Sequence, residues 1–145
     1  MMMLVAVMAL GMSIQTSAKK VQVPKMYIFG FAASFNDTIV HFTNIQEIDS
    51  AWIEKKDKFL QMREMYSYQL RDFLASKKQM PRRTVVVFAN KSKKKVEKKF
   101  LKFKKLYTQS KHQHQQYDLR YLDEQEFHFK TINLRDFFDD VNAER

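Results

Sequence analysis

The sequence predicts an α/β fold on the border of α+β: a mixed sheet of about five strands carrying two main helices, in the order β-β-α-β-α-β-β. Three observations carry that expectation. Thr84 to Ala89 (TVVVFA) is an unbroken, β-branched apolar run between polar flanks, the composition of a strand buried on both faces as in a parallel sheet. Aromatic-rich strand patterns stand on either side of Asn36-Asp37, as in a β-hairpin. Val96, Phe100, Phe103 and Tyr107 recur at i, i+4, i+7 and i+11, the spacing of a helix with one buried stripe.

The chain opens with MMMLVAVMALGMSIQTSA, eighteen residues without a charged side chain, followed by Lys19 and Lys20. An apolar run to about Met12, a helix-weakening Gly11, a polar step and the small residues Thr16-Ser17-Ala18 have the order of an export signal cleaved after Ala18. The basic segment that normally precedes the apolar run is missing, and three consecutive Met residues suggest a start placed too late, with that segment lost upstream. A buried N-terminal strand or helix is the alternative. The run is short of the roughly 20 residues of a membrane span, and the chain has no Cys for lipid attachment. The expected mature protein is therefore one domain, Lys19 to Arg145, periplasmic or secreted.

Within that domain a short basic linker and Pro24 lead to a strand at Met26 to Phe35, a turn at Asn36-Asp37, and a strand at Thr38 to Thr43 that extends toward Ile48. Asp49-Ser50 suits a helix cap, and from Trp52 to Leu74 positions 52, 59, 66, 70, 73 and 74 fall on one helical stripe. Lys56 and Arg63 interrupt the first half of that stripe, so extended chain and a loop are the alternative there. Tyr66 to Ala75 is the cleaner helix, with Leu70, Phe73 and Leu74 inward. Lys77-Lys78 complements its C-terminal dipole, and Pro81 ends it. The Thr84 strand, the Lys-rich helix and a strand at Tyr117 to Leu122 make a β-α-β unit, expected to be parallel and right-handed. An acidic turn at Asp123-Glu124, a strand at Phe127 to Ile132 and a short helical or frayed tail from Asn133 complete the chain.

Composition excludes several chemistries. With no Cys there is no disulfide framework, thiolate metal site or thiol nucleophile. Gly11 and Gly30 are the only glycines, so a P-loop, a dinucleotide fingerprint and a nucleophile elbow, each needing two in close spacing, are absent. No H-E-x-x-H occurs. Hydrophobic residues at 45% and aromatics at 14% argue against disorder. Neither a catalytic constellation nor a cofactor motif emerges.

Charge is the positive signal. The net +10 is concentrated between Lys91 and Lys111, where ten Lys face only Glu97, whereas Asp118 to Arg145 carries eight acids against four bases. With the apolar stripe on the sheet, Lys91, Lys94, Lys98, Lys102 and Lys105 must share the opposite face. Like charges at i, i+4 oppose helix formation, which points to an anionic partner that screens them: an envelope component or an acidic protein. A merely solvated face is the bland alternative. All ten cations are Lys, and point charges suit delocalised attraction better than the base-edge reading that favours Arg. Sequence-specific nucleic-acid binding is disfavoured; nonspecific binding is the alternative if the N-terminus is retained.

Weaker candidates were weighed in the same way. His112 and His114 offer two imidazoles, with His128 or Asp118 as a third metal ligand, but the spacing is loose. His41 lies in a strand pattern and is expected at the surface or satisfied by a partner. Asp123, Glu124 and Glu126 have the composition of a paired-carboxylate or cation site, yet consecutive turn residues diverge. Phe29, Phe31, Phe35, Phe42 and Trp52 suit core or cross-strand pairs better than a ligand pocket. A hydrolase using His or carboxylates is the third functional reading, without supporting spacing.

The stretches Phe29 to Ile53, Tyr66 to Leu74 and Tyr117 to Lys130 resemble a group of small, exported, uncharacterised bacterial proteins. The resemblance spans most of the mature chain and implies export and a shared domain; it supplies no activity, cofactor or site residue.

Overall fold

The computed structural model describes residues 19–109 and 116–144; the expected export signal, residues 1–18, lies outside them. The fold is α/β, with a mixed five-stranded sheet and three helices. Its centre is β1 (Lys20–Ala33), which uses both edges. On one side it pairs antiparallel with β2 (Ile39–Thr43) and β3 (Gln46–Glu54), on the other with β4 (Thr84–Asn90). β5 (Asp118–Leu122) adds parallel to β2. β4 and β5 therefore run in the same direction, as the β-α-β reading expects, but β1 and β2 lie between them.

β2 and β3 are two halves of one long partner of β1, joined by a bulge. Between the pairs Ile28↔Gln46 and Phe31↔Phe42 the partner strand carries one more residue than β1. The extra residue would leave Gly30 N–H without a ladder acceptor; Thr43 Oγ1 accepts it at 2.8 Å. The turn falls at Asn36-Asp37 as expected, and Asp37 is locked to Arg83 by two hydrogen bonds of 2.7 and 2.6 Å. Arg83 is buried, and its guanidinium holds the Asp37 carboxyl below the usual carboxylate range.

Four expectations are corrected. The basic linker is strand, because Val21 and Val23 pair across to Ile53 and Ala51. Asp49-Ser50 caps no helix: the chain stays extended to Glu54, burying Ile48, Ala51 and Ile53. The helix α1 begins only at Arg63 and ends at Lys77. Thr84 to Ala89 is not sandwiched in a parallel sheet, since β4 is antiparallel to β1 and buries only Val87. Phe127 to Ile132 pairs with no strand among the described residues. Its backbone is met by side chains instead: Gln46 bonds Phe127 O and Phe129 N, Gln69 bonds both Lys130 groups, and Tyr66 Oη accepts from Ile132 N.

Alternation along β1 builds a core on each face. Met26, Ile28 and Ala32 pack with Tyr66, Leu70 and Leu74 of α1 and with Phe127 and Phe129. Phe29 and Phe31 pack with Phe42 and with α2 (Lys93–Thr108). Gly30 faces the first core, and its missing side chain admits Leu70 and Phe129. A short helix, α3 (Leu134–Ala143), ends the described chain. Among the described residues no helix is long and apolar enough to cross a membrane.

Candidate anion-binding face on the lysine-rich helix

The helix α2 is set in place by its ends and its stripe. Asn90 Oδ1 accepts from Ser92 N at 2.8 Å, fixing the turn out of β4, and Ser92 occupies the N-cap position. Val96 is buried. Phe100 stands edge-on to Phe29 at 5.3 Å, Phe103 lies 5.1 Å from Phe88, and Tyr107 lies 5.2 Å from Phe31 and 4.9 Å from Tyr117. Burial pushes the Tyr107 phenol up. Such ring contacts are each worth about 0.5–1.5 kcal/mol beyond buried area, so the rotation of the helix about its axis is well determined.

That rotation exposes Lys94, Lys98, Lys102 and Lys105 together, as the spacing predicts, whereas Lys91 is exposed but precedes the Ser92 N-cap and lies outside the helix. Among the described residues no α2 lysine forms an ion pair; the five bridges present lie elsewhere. Lys99 Nζ lies 5.3 Å from the Phe88 ring centroid and Lys104 Nζ 5.5 Å from that of Tyr121. Lysines repeat at i, i+4 through Lys94, Lys98 and Lys102, each pair opposing the helix by a few tenths of a kcal/mol.

The flanks of the helix differ. Lys95, Lys98, Lys99 and Lys102 overlook a groove of about 550 Å³ along the edge of β4 that no strand pairs among the described residues, and Phe59 and Arg63 also line it. Lys91, Lys94 and Lys105 do not line it. Sequence reasoning missed Lys95, Lys99, Arg63 and Phe59. For the lysines a signal existed, since 95, 99 and 102 recur at i, i+4 and i+7; for Phe59 and Arg63 none did, because their approach to α2 depends on β3 ending where it does.

The other candidates disperse. His112 and His114 lie outside the described residues. Of their expected partners, His128 Nδ1 sits 3.2 Å from Gln46 Oε1 and Asp118 pairs with Arg120 at 3.0 Å. Among the described residues no three His, Asp or Glu side chains converge on a metal position. In the acidic turn Asp123 Oδ1 accepts from Gln125 N and Glu126 N, while Glu126 pairs with Lys78 at 2.9 Å. Phe29, Phe31 and Phe42 are core, Phe35 is fully exposed at the hairpin turn, and Trp52 lies beside Arg135. His41 corrects its expectation: it is 2% exposed rather than on the surface, and its Nδ1 lacks a partner among the described residues. Desolvation holds its pKa below the ordinary value, helped by Arg83, Arg120 and Lys78. It borders a small cavity with Lys78, Arg120 and Glu126. No protein-family model matches the chain, and no curated protein or solved structure matches it.

Proposed function

We propose that this protein is an exported, non-catalytic binding protein whose α2 face engages an anionic envelope component or an acidic partner. The observation that carries the reading is the array Lys94, Lys98, Lys102 and Lys105, held outward by a buried aromatic stripe, with exposed Lys91 just before the N-cap, and none of them with an ion-pair partner among the described residues. A helix fixed on one side and cationic on the other presents its charge pre-oriented, and a multivalent anion relieves the repulsion along it. Export is compatible with the fold: the ladder of β1 reaches Lys19, whose carbonyl accepts from Lys55 N at 2.8 Å, so cleavage after Ala18 spares it.

The test is cosedimentation with vesicles containing phosphatidylglycerol, for wild type and for Lys94→Glu/Lys98→Glu/Lys102→Glu/Lys105→Glu, with circular dichroism as the check on folding. Wild type is expected to pellet at low salt and be released by added salt, and the variant to stay in solution. If the folded variant pellets like wild type, the reading fails. Binding to duplex DNA in preference to vesicles would replace it with the nucleic-acid alternative.

A further inference from the structure

We infer that the groove between α2 and the open edge of β4 is a binding site for a monoacyl amphiphile: an aliphatic chain with an anionic head group. The inference rests on the reading of α2 as an anion-binding face and narrows its ligand.

Two properties of the groove lead there. Its cations, Arg63, Lys95, Lys98, Lys99 and Lys102, arrive from both sides, and no lining residue is acidic. Between these cations its lining is apolar, supplied by Phe88, Ala89, Val96 and Phe59. Phe59 is a large aromatic left 63% exposed, although burying such a side chain is worth about 1.5–3 kcal/mol. A purely polar anion, whether a glycan or inorganic phosphate, would satisfy the ammonium groups and leave that apolar surface wet. A neutral lipid would cover it and strand the charges. Only a ligand with both parts satisfies both. The lysine stems suit the task, since their methylenes extend the apolar walls while the ammonium groups stay at the mouth. The volume of about 550 Å³ lies within the ordinary range of small-molecule sites.

Isothermal titration with dodecyl phosphate, kept below its micelle concentration, tests the proposal beside inorganic phosphate and neutral dodecyl maltoside. Dodecyl phosphate is expected to bind one to one and at least about tenfold more tightly than either control, the equivalent of about 1.4 kcal/mol. Phe59→Ser is the decisive variant: its side chain is exposed, so the fold survives its loss. It is expected to weaken dodecyl phosphate by about tenfold and to leave vesicle binding unchanged. Lys94→Glu/Lys105→Glu lies outside the groove, and is expected to weaken vesicle binding while sparing dodecyl phosphate. If dodecyl phosphate binds no better than inorganic phosphate, or if Phe59→Ser changes nothing, the groove proposal is overturned, and vesicle binding that still depends on lysine leaves the broader reading standing. If neither vesicles nor dodecyl phosphate bind, both fall.

Discussion

At Gly30 the first core packs directly against the strand backbone, and one methyl group is enough to test the packing. A Cβ there would stand 2.6 Å from Leu70 Cδ2 and 3.0 Å from Phe129 Cζ. Neither neighbour can withdraw freely, because both are buried in the same cluster. Gly30→Ala is therefore expected to cost about 1–3 kcal/mol, the usual penalty for overpacking, read from the denaturant midpoint. Combined with Leu70→Ala the loss should be less than the sum, since the clash partner has been removed; strict additivity would refute the contact. His41 gives a second residue-scale prediction, in pH. Its folded pKa lies below the unfolded value because burial, Arg83, Arg120 and Lys78 all disfavour the imidazolium, against a smaller opposing effect of Asp118. A lowered pKa means that the unfolded chain takes up the proton first. His41's contribution is thus complete above about pH 6.5 and is lost as pH falls toward the depressed folded value. Thermal midpoints of wild type should fall across that window, and His41→Gln should flatten the slope there.

Among the elements, α2 holds its lysines side by side at a cost to its own stability. Lys98 faces Lys94 one turn before and Lys102 one turn after. Lys98→Glu turns two repulsive pairs into attractive ones and is expected to raise stability by about 1 kcal/mol while weakening vesicle binding. A midpoint that stays put would mean that solvent already screens the array, as on an ordinary soluble face. The stripe that seats α2 was legible because four aromatic and aliphatic positions repeat over three turns, with no competing pattern. The β3 segment was not, since Trp52, Phe59 and Tyr66 fall on a helical stripe that continues into α1. What decides in favour of strand is β1: Val21, Val23, Met26 and Ile28 offer a ladder that local spacing cannot reveal. Phe127 to Ile132 alternates like a strand, and Phe127 and Phe129 do point inward. Its hydrogen bonds are supplied by Gln46, Gln69 and Tyr66, whose nearness depends on the tertiary fold. The candidate site divides along the same line: its outward lysines follow from periodicity, whereas the groove needs α1, β4 and α2 in place.

For the whole molecule, the compartment decides which anions its charge meets. Residues 1–18 carry no charged side chain, so a chain cut after Ala18 keeps the full net +10 of its side chains. It also keeps both cores, because every described element begins at or beyond Lys20. On the export reading, stability and binding are expected to be the same in chains with and without residues 1–18, and only location to differ. The expected result is a native species whose intact mass begins at Lys19, recovered from the envelope or medium after cell fractionation. There the anions in reach are lipid head groups and acidic glycans, and binding should decline smoothly with ionic strength. A cytoplasmic species that retains Met1 would reverse the argument. The same lysines would then meet nucleic acid as the abundant polyanion, and duplex binding should fall with salt at a slope of about −0.9 per phosphate neutralised. The eight exposed lysines of α2 set the upper scale for that slope, so its size would tell whether α2 alone carries the contact.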